Sequence, residues 1–204
     1  MQILKILRDQ ANINPDKVAV IFRDEEITLK KLEERYLALA NSLKKIGVEK
    51  GDRVALYLPN WPEYIYSYLA IWALGAIAVP LDFMLTSDEL SSCLVHSEAK
   101  VLIIKTKATL NLAALREGLP CLNTVIACQD SQEGCLFFND CLDNGGNEEI
   151  DTDIQERDCA IIFYTSGTTG KPKGVLISYK QLLAPPKSME FFVNSDLSDK
   201  DTTL

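Results

Sequence analysis

No CxxC pair occurs in this sequence, there is a single histidine (His96), and no run of lysine and arginine stands out anywhere along its 204 residues. Each shortage excludes something. Zinc ligands come as cysteines or histidines two to four residues apart, whereas the six cysteines here (Cys93, Cys121, Cys128, Cys135, Cys141, Cys159) are scattered and His96 stands far from most of them. Reduced, cytosolic thiols are therefore expected rather than a metal centre or a disulfide framework. A net charge of −8 with no basic stretch to offset it argues against nucleic acid and against anionic membranes as partners. The same field repels ATP, so a nucleotide site would need local positive groups.

Low-complexity tracts and internal repeats are also missing. With 47% hydrophobic and 25% charged residues the composition is that of an ordinary globular protein. The uncharged run from Tyr64 to Leu81 is almost long enough to cross a bilayer. Its interior argues otherwise: Trp61-Pro62 opens a helix, and Gly75 followed by Ala-Ile-Ala-Val and Pro80 reads as helix stop, short strand and break. A buried helix and strand are expected there, not a membrane span.

What is present is alternation. Leu29, Leu32, Tyr36, Leu39, Ala40, Leu43 and Ile46 recur at helical spacing, with Thr28 as cap and Gly47 as stop. Arg53 to Leu58 reads as a strand, a helix follows from Pro62, and Ser87-Asp88-Glu89 opens another. Lys100–Ile104 is an expected strand, Ala108–Arg116 a helix and Thr124–Cys128 a strand. Such order needs crossover connections, so the expected fold class is α/β, with a largely parallel sheet flanked by helices. Between Gln129 and Asp158 the pattern weakens, and the turn-rich Asp143-Asn144-Gly145-Gly146-Asn147 suggests an exposed connection. Cys159 to Tyr164 is a continuous apolar run, as expected for a strand buried on both faces.

The chemistry follows that strand. Residues 164–175, Tyr-Thr-Ser-Gly-Thr-Thr-Gly-Lys-Pro-Lys-Gly-Val, put four aliphatic hydroxyls, three glycines and two lysines into a dozen positions. Glycine lets backbone N–H groups turn inward, hydroxyls donate further hydrogen bonds, and lysines add charge, which together make a cradle for phosphate. It is not the Walker pattern, because Pro172 stands where Ser or Thr should follow Lys171. Val175-Leu-Ile-Ser reads as strand, so the loop is expected to join two strands and to lack a helix N-terminus for its phosphates. Taken singly, a Gly/Thr-rich segment is most often a plain surface turn. Tyr164 and His96 read as packing residues.

Residues 164–175 resemble, essentially without gaps, the phosphate loop of the AMP-forming adenylate family, which includes acyl-CoA synthetases, luciferase and peptide-synthetase adenylation domains. The likeness extends upstream in order through Thr28-Leu-Lys-Lys-Leu, Gly47-Val-Glu-Lys-Gly-Asp-Arg-Val54, Asn60-Trp-Pro-Glu63 and Gly75-Ala-Ile-Ala-Val-Pro80. Departures are Leu81-Asp82-Phe83, where the family often has Asn, and Ser178-Tyr179, where Thr-His is common.

What the resemblance implies is a partial N-terminal AMP-binding domain of acyl-CoA synthetase-like fold across residues 1–204. Such enzymes use ATP and Mg2+ to turn a carboxylic acid, fatty or otherwise, into an acyl-adenylate, with CoA as co-substrate. Carried over by position, Thr165, Ser166, Gly167, Thr168, Thr169, Gly170, Lys171 and Lys173 would hold the leaving phosphates. Thr165 would help hold magnesium, and Lys173 matches the family better than Lys171. The family's catalytic lysine, adenine site and acid pocket are expected beyond Asp201-Thr-Thr-Leu204, so no catalytic residue is assigned. Alone, the chain is expected to be inactive. Two alternatives are a polyphosphate- or partner-binding module and the first half of a split ligase completed by a separate C-terminal polypeptide.

Overall fold

The computed structural model describes residues 2–107, 110–129, 133–165 and 172–183. Two features precede the first element that periodicity predicts. These are a helix, α1 (Gln2–Ile13), and a small antiparallel hairpin of β1 (Val18–Phe22) and β2 (Glu25–Thr28). The expected helix follows as α2 (Leu29–Lys45). Thr28 caps it, its hydroxyl accepting from the Lys31 N–H at 3.2 Å, and Gly47 beyond its end takes a left-handed φ of +86° that suits glycine.

Then come β3 (Arg53–Tyr57), α3 (Pro62–Ala73), β4 (Ile77–Pro80), α4 (Ser87–Ser97), β5 (Val101–Lys105), α5 (Leu112–Glu117) and β6 (Thr124–Cys128). The long uncharged run is thus a helix and a strand. Among the described residues no helix is long and apolar enough to cross a membrane. The cap of α4 lies one residue earlier than the Ser-Asp-Glu signal suggests, because Thr86 and Glu89 form a reciprocal capping box. The helix expected over Ala108–Arg116 is shorter. Asn111 caps it, its side chain accepting from the Ala114 N–H at 3.1 Å, and residues 108–109 lie outside the described residues.

The stretch expected to be an exposed connection is one only in part: Asp143, Asn144, Gly146 and Asn147 are exposed, but Gly145 is buried. It holds β7 (Leu136–Phe137) and α6 (Phe138–Gly145), with Phe138, Cys141 and Leu142 buried at i, i+3 and i+4. The helix lies so close on α2 that a Cβ added to Gly145 would sit 1.9 Å from the Ala38 carbonyl oxygen. Ser42 Oγ donates to the Cys141 carbonyl at 2.6 Å, and Lys45 Nζ donates to the Asn144 carbonyl at 2.8 Å. Gly145 serves close packing here, while Asp143 and Asn144 are exposed.

β8 (Cys159–Thr165), β9 (Lys173–Ser178) and the short α7 (Tyr179–Leu183) complete the described chain. The main sheet runs β7-β6-β5-β3-β4-β8-β9, every neighbouring pair parallel except β8 and β9. Alternate side chains feed two cores. Val54, Leu56 and Ile103 meet the residues of α2, α3 and α6, while Ala55, Tyr57, Leu102 and Ile104 meet those of α4 and α5. From β3 the chain crosses to β4 over one face, then returns past β3 to β5 over the other. That reversal makes the carboxyl ends of β3, β4 and β5 the switch point at which open α/β sheets usually take ligands.

The strand Cys159–Tyr164 is not buried throughout on both faces. Ala160 and Ile161 are buried, but Phe163 is 43% exposed. β8 meets β4 at one register position, Ala78 opposite Ile161, and beyond it runs with β9, itself at the sheet edge.

Candidate phosphate-binding hairpin

Because β8 is parallel to β4, its carboxyl end points the same way as the switch point, and the glycine- and threonine-rich segment leaves from that end. The expectation of a strand–loop–strand holds. Thr165 pairs with Lys173, Tyr164 with Gly174 and Phe163 with Val175 across the antiparallel pair. Directly opposed residues of such a pair put their side chains on one face, with Cβ atoms about 5 Å apart. A hydroxyl residue and a lysine therefore share the mouth of the loop, and both are exposed. Of the residues picked out for phosphate, Thr165 and Lys173 are brought together. Ser166, Gly167, Thr168, Thr169, Gly170 and Lys171 lie outside the described residues.

Gly174 is demanded by a close approach. A Cβ there would come 2.9 Å from Ile162 Cγ2 and 3.8 Å from the Tyr164 ring. The Tyr164 hydroxyl lies 2.8 Å from His96 Nδ1 in the last turn of α4, with the rings edge to face at 5.6 Å. Burial pushes the Tyr164 phenol up to about 12, so it stays protonated at neutral pH.

Sequence reasoning missed further cations at the carboxyl edge. Lys105 Nζ stands 3.8 Å from the centre of the Trp61 ring, and Lys107 Nζ lies 4.0 Å from that of Phe83 while donating to the Phe83 carbonyl. Tyr57 stacks obliquely on Phe83 at 5.1 Å and donates its hydroxyl to the Leu85 carbonyl at 2.8 Å. These contacts pin the loops after β3 and β4 and put two lysines at the end of β5, local positive charge on an acidic chain. Pairs such as Trp61 and Lys105 have no sequence signal, since only the fold brings them together.

Among the described residues no group of three or more His, Cys, Asp or Glu could hold a metal ion. All six cysteines are free thiols, and burial pushes Cys128 and Cys141 upward, which keeps them protonated.

Comparison with known proteins gives the family. The model of the AMP-binding enzyme family matches residues 7–204, and the chain belongs to that family. It is 33% identical over 195 residues to feruloyl-CoA synthase of an Amycolatopsis species, a match covering 96% of this chain and 36% of that protein. It is 31% identical over 184 residues to bacitracin synthase 3 of Bacillus licheniformis, covering 88% of this chain and 3% of that protein. The crystal structure of the anthranilate CoA ligase AuaEII in complex with anthranoyl-AMP superposes with a TM-score of 0.81 at 30% identity, covering 87% of this chain and 34% of that one. The chain thus spans about a third of the length of the CoA ligases it matches.

Proposed function

We propose that this chain is a partial N-terminal AMP-binding domain, supplying the phosphate-handling part of a ligase that activates a carboxylic acid with ATP and passes the acyl group to CoA. The observation that carries the reading is the hairpin mouth. Thr165 and Lys173 face each other at the carboxyl edge of a parallel sheet, at the two ends of a glycine- and hydroxyl-rich segment, in a chain of the AMP-binding family.

The donor set suits a polyphosphate. Hydroxyls of Thr165, Ser166, Thr168 and Thr169 donate to phosphate oxygens, Gly167 and Gly170 free backbone N–H groups to do the same, and Lys173, seconded by Lys171, neutralises charge. Thr165 also suits magnesium, which takes few protein oxygens and completes its shell from phosphates and water. ATP supplies the α-phosphorus that the carboxylate attacks and the pyrophosphate that leaves. This chain's residues contribute position and charge neutralisation, which is most of what phosphoryl chemistry asks of a protein. The six free thiols support a cytoplasmic setting. Since relatives are named for feruloyl and for medium- or long-chain fatty acids, the acid is open to aromatic and aliphatic candidates alike.

A second reading, the first half of a split ligase, is favoured by one feature. Phe163 and Val175, paired on one face of the edge hairpin, are 43% and 46% exposed, an apolar surface suited to a further polypeptide. ATP–pyrophosphate exchange over a panel of carboxylic acids tests both. The chain alone should be silent. Adding the remaining segments of a relative in trans should give acid-dependent exchange that Lys173→Ala abolishes. Exchange by the chain alone would overturn its expected inactivity, and exchange that survives Lys173→Ala would remove that lysine from the site. No exchange with any acid in either arrangement would overturn the ligase reading.

A further inference from the structure

The base of the hairpin is held in an unusual way. Past Ile161, β8 no longer pairs with β4, and its backbone neighbour is β9, whose residues Lys173 to Leu176 are all exposed. Two strands alone make a marginal unit. Something must fix the direction in which this pair leaves the sheet, because Thr165 and Lys173 sit at its tip.

We infer that His96, Tyr164 and Gly174 form a three-element clamp that positions the mouth of the loop, with His96 acting as a positioning residue through Tyr164. The Tyr164 ring reaches across the pair to Gly174 on β9, where no side chain competes for the space. Its hydroxyl reaches His96 Nδ1 at 2.8 Å on α4. One side chain therefore joins β8, β9 and α4. Ile162 and Tyr164 also pack on the core beneath α4, so the polar contact is backed by apolar burial. It is a polar side-chain tie from the outer half of the hairpin to α4. The clamped pair, Tyr164–Gly174, is one register step from Thr165–Lys173, so a change in its tilt is passed directly to the two groups facing the ligand.

Mechanically this resembles rescue of a strand glycine by a cross-strand aromatic, with one addition. The ring is anchored at its far end. The Tyr164 hydroxyl and His96 Nδ1 are 2.8 Å apart, and the imidazole tautomer sets which of them donates.

The test uses the 204-residue chain and the variants Tyr164→Phe, His96→Leu and His96→Asn, the last placing an amide near the position of Nδ1. Amide hydrogen exchange is read at residues 162–165 and 173–176, with β5 as the internal reference. Affinity for inorganic tripolyphosphate with magnesium is measured alongside. Tyr164→Phe and His96→Leu should each speed exchange at the hairpin roughly fivefold, the factor for a hydrogen bond of ordinary net strength, with β5 unchanged. Tripolyphosphate affinity should fall by a similar factor, and His96→Asn should restore both. The affinity part rests on the adenylation reading and the exchange part does not. If the wild-type chain binds no tripolyphosphate, that reading loses its premise while hairpin exchange still decides the clamp. Unchanged exchange in Tyr164→Phe and His96→Leu would overturn the clamp. Faster exchange with unchanged affinity, or failure of His96→Asn to restore, would overturn the positioning role.

Discussion

The same three residues, Val-Leu-Ile, occur in β5 as 101–103 and in β9 as 175–177, with opposite fates. In β5 they are at most 1% exposed, whereas Val175 and Leu176 are 46% and 63% exposed. The residues are alike and the positions are not. β5 lies between β3 and β6 with a helical layer on each face, while β9 is the antiparallel edge. The body of the molecule is specified by burial. The hairpin that carries the candidate chemistry is specified by its place in the sheet and by a few contacts at its base, as expected where loops on a rigid scaffold bear function.

The comparison has a mirror image in α6, where a glycine in a polar, turn-prone stretch is buried against α2, and the largest expected effect lies there. Gly145→Val would drive a side chain into the Ala38 backbone, and unfolding by urea should show a loss of about 3 kcal/mol or more, since neither backbone can give way cheaply. A Gly145→Val variant as stable as wild type would mean that α2 and α6 are not in close contact. Next comes the buried half of the pair: Ile103→Ala should cost about 2–5 kcal/mol in the same measurement.

A smaller effect is expected where the body meets the hairpin. Lys50 Nζ lies 2.6 Å from Asp158 Oδ2 and donates to the Asp153 carbonyl at 2.6 Å, tying the turn before β3 to the start of β8. The hydrogen bond from Lys50 holds the Asp158 carboxyl below its ordinary 3.8. A depressed carboxyl stabilises the fold fully above its ordinary value, and that contribution is lost as pH falls through the folded value. Lys50→Ala should therefore cost under about 1 kcal/mol at neutral pH, and its difference from wild type should shrink below pH 3.8, as read from denaturation at a series of pH values. A difference that grows on acidification would contradict the assignment.

Smallest of all, Leu176→Lys should change stability by no more than about 0.5 kcal/mol while improving solubility at high concentration, the reverse of Ile103→Ala. A large loss at Leu176 would show that the edge face is already covered in the isolated chain.

The fold was legible in the sequence wherever periodicity and punctuation coincide. Thr28 and Gly47 bracket α2, Trp61-Pro62 opens α3, and the apolar runs of β3, β5 and β6 admit little else. α6 was hidden because Asp143, Asn144 and Gly145 are weak helix formers, although Phe138, Cys141 and Leu142 carry helical spacing. Exposure on β8 was also hidden, since an apolar run says nothing about whether a neighbouring strand extends as far. At the site, the apolar runs before and after it implied a segment between two strands, and the register gives its two ends. The contact between His96 and Tyr164 joins residues 68 positions apart, and no local pattern announces such a pair.

The central claim is that the segment between Thr165 and Lys173 receives phosphate, and the most direct measurement is a backbone NMR titration of the chain with magnesium tripolyphosphate. Shifts confined to the amides of residues 165–171, 173 and 174, and lost in Lys173→Ala, are the expected result. Shifts centred elsewhere, or the same shifts in Lys173→Ala, would contradict it.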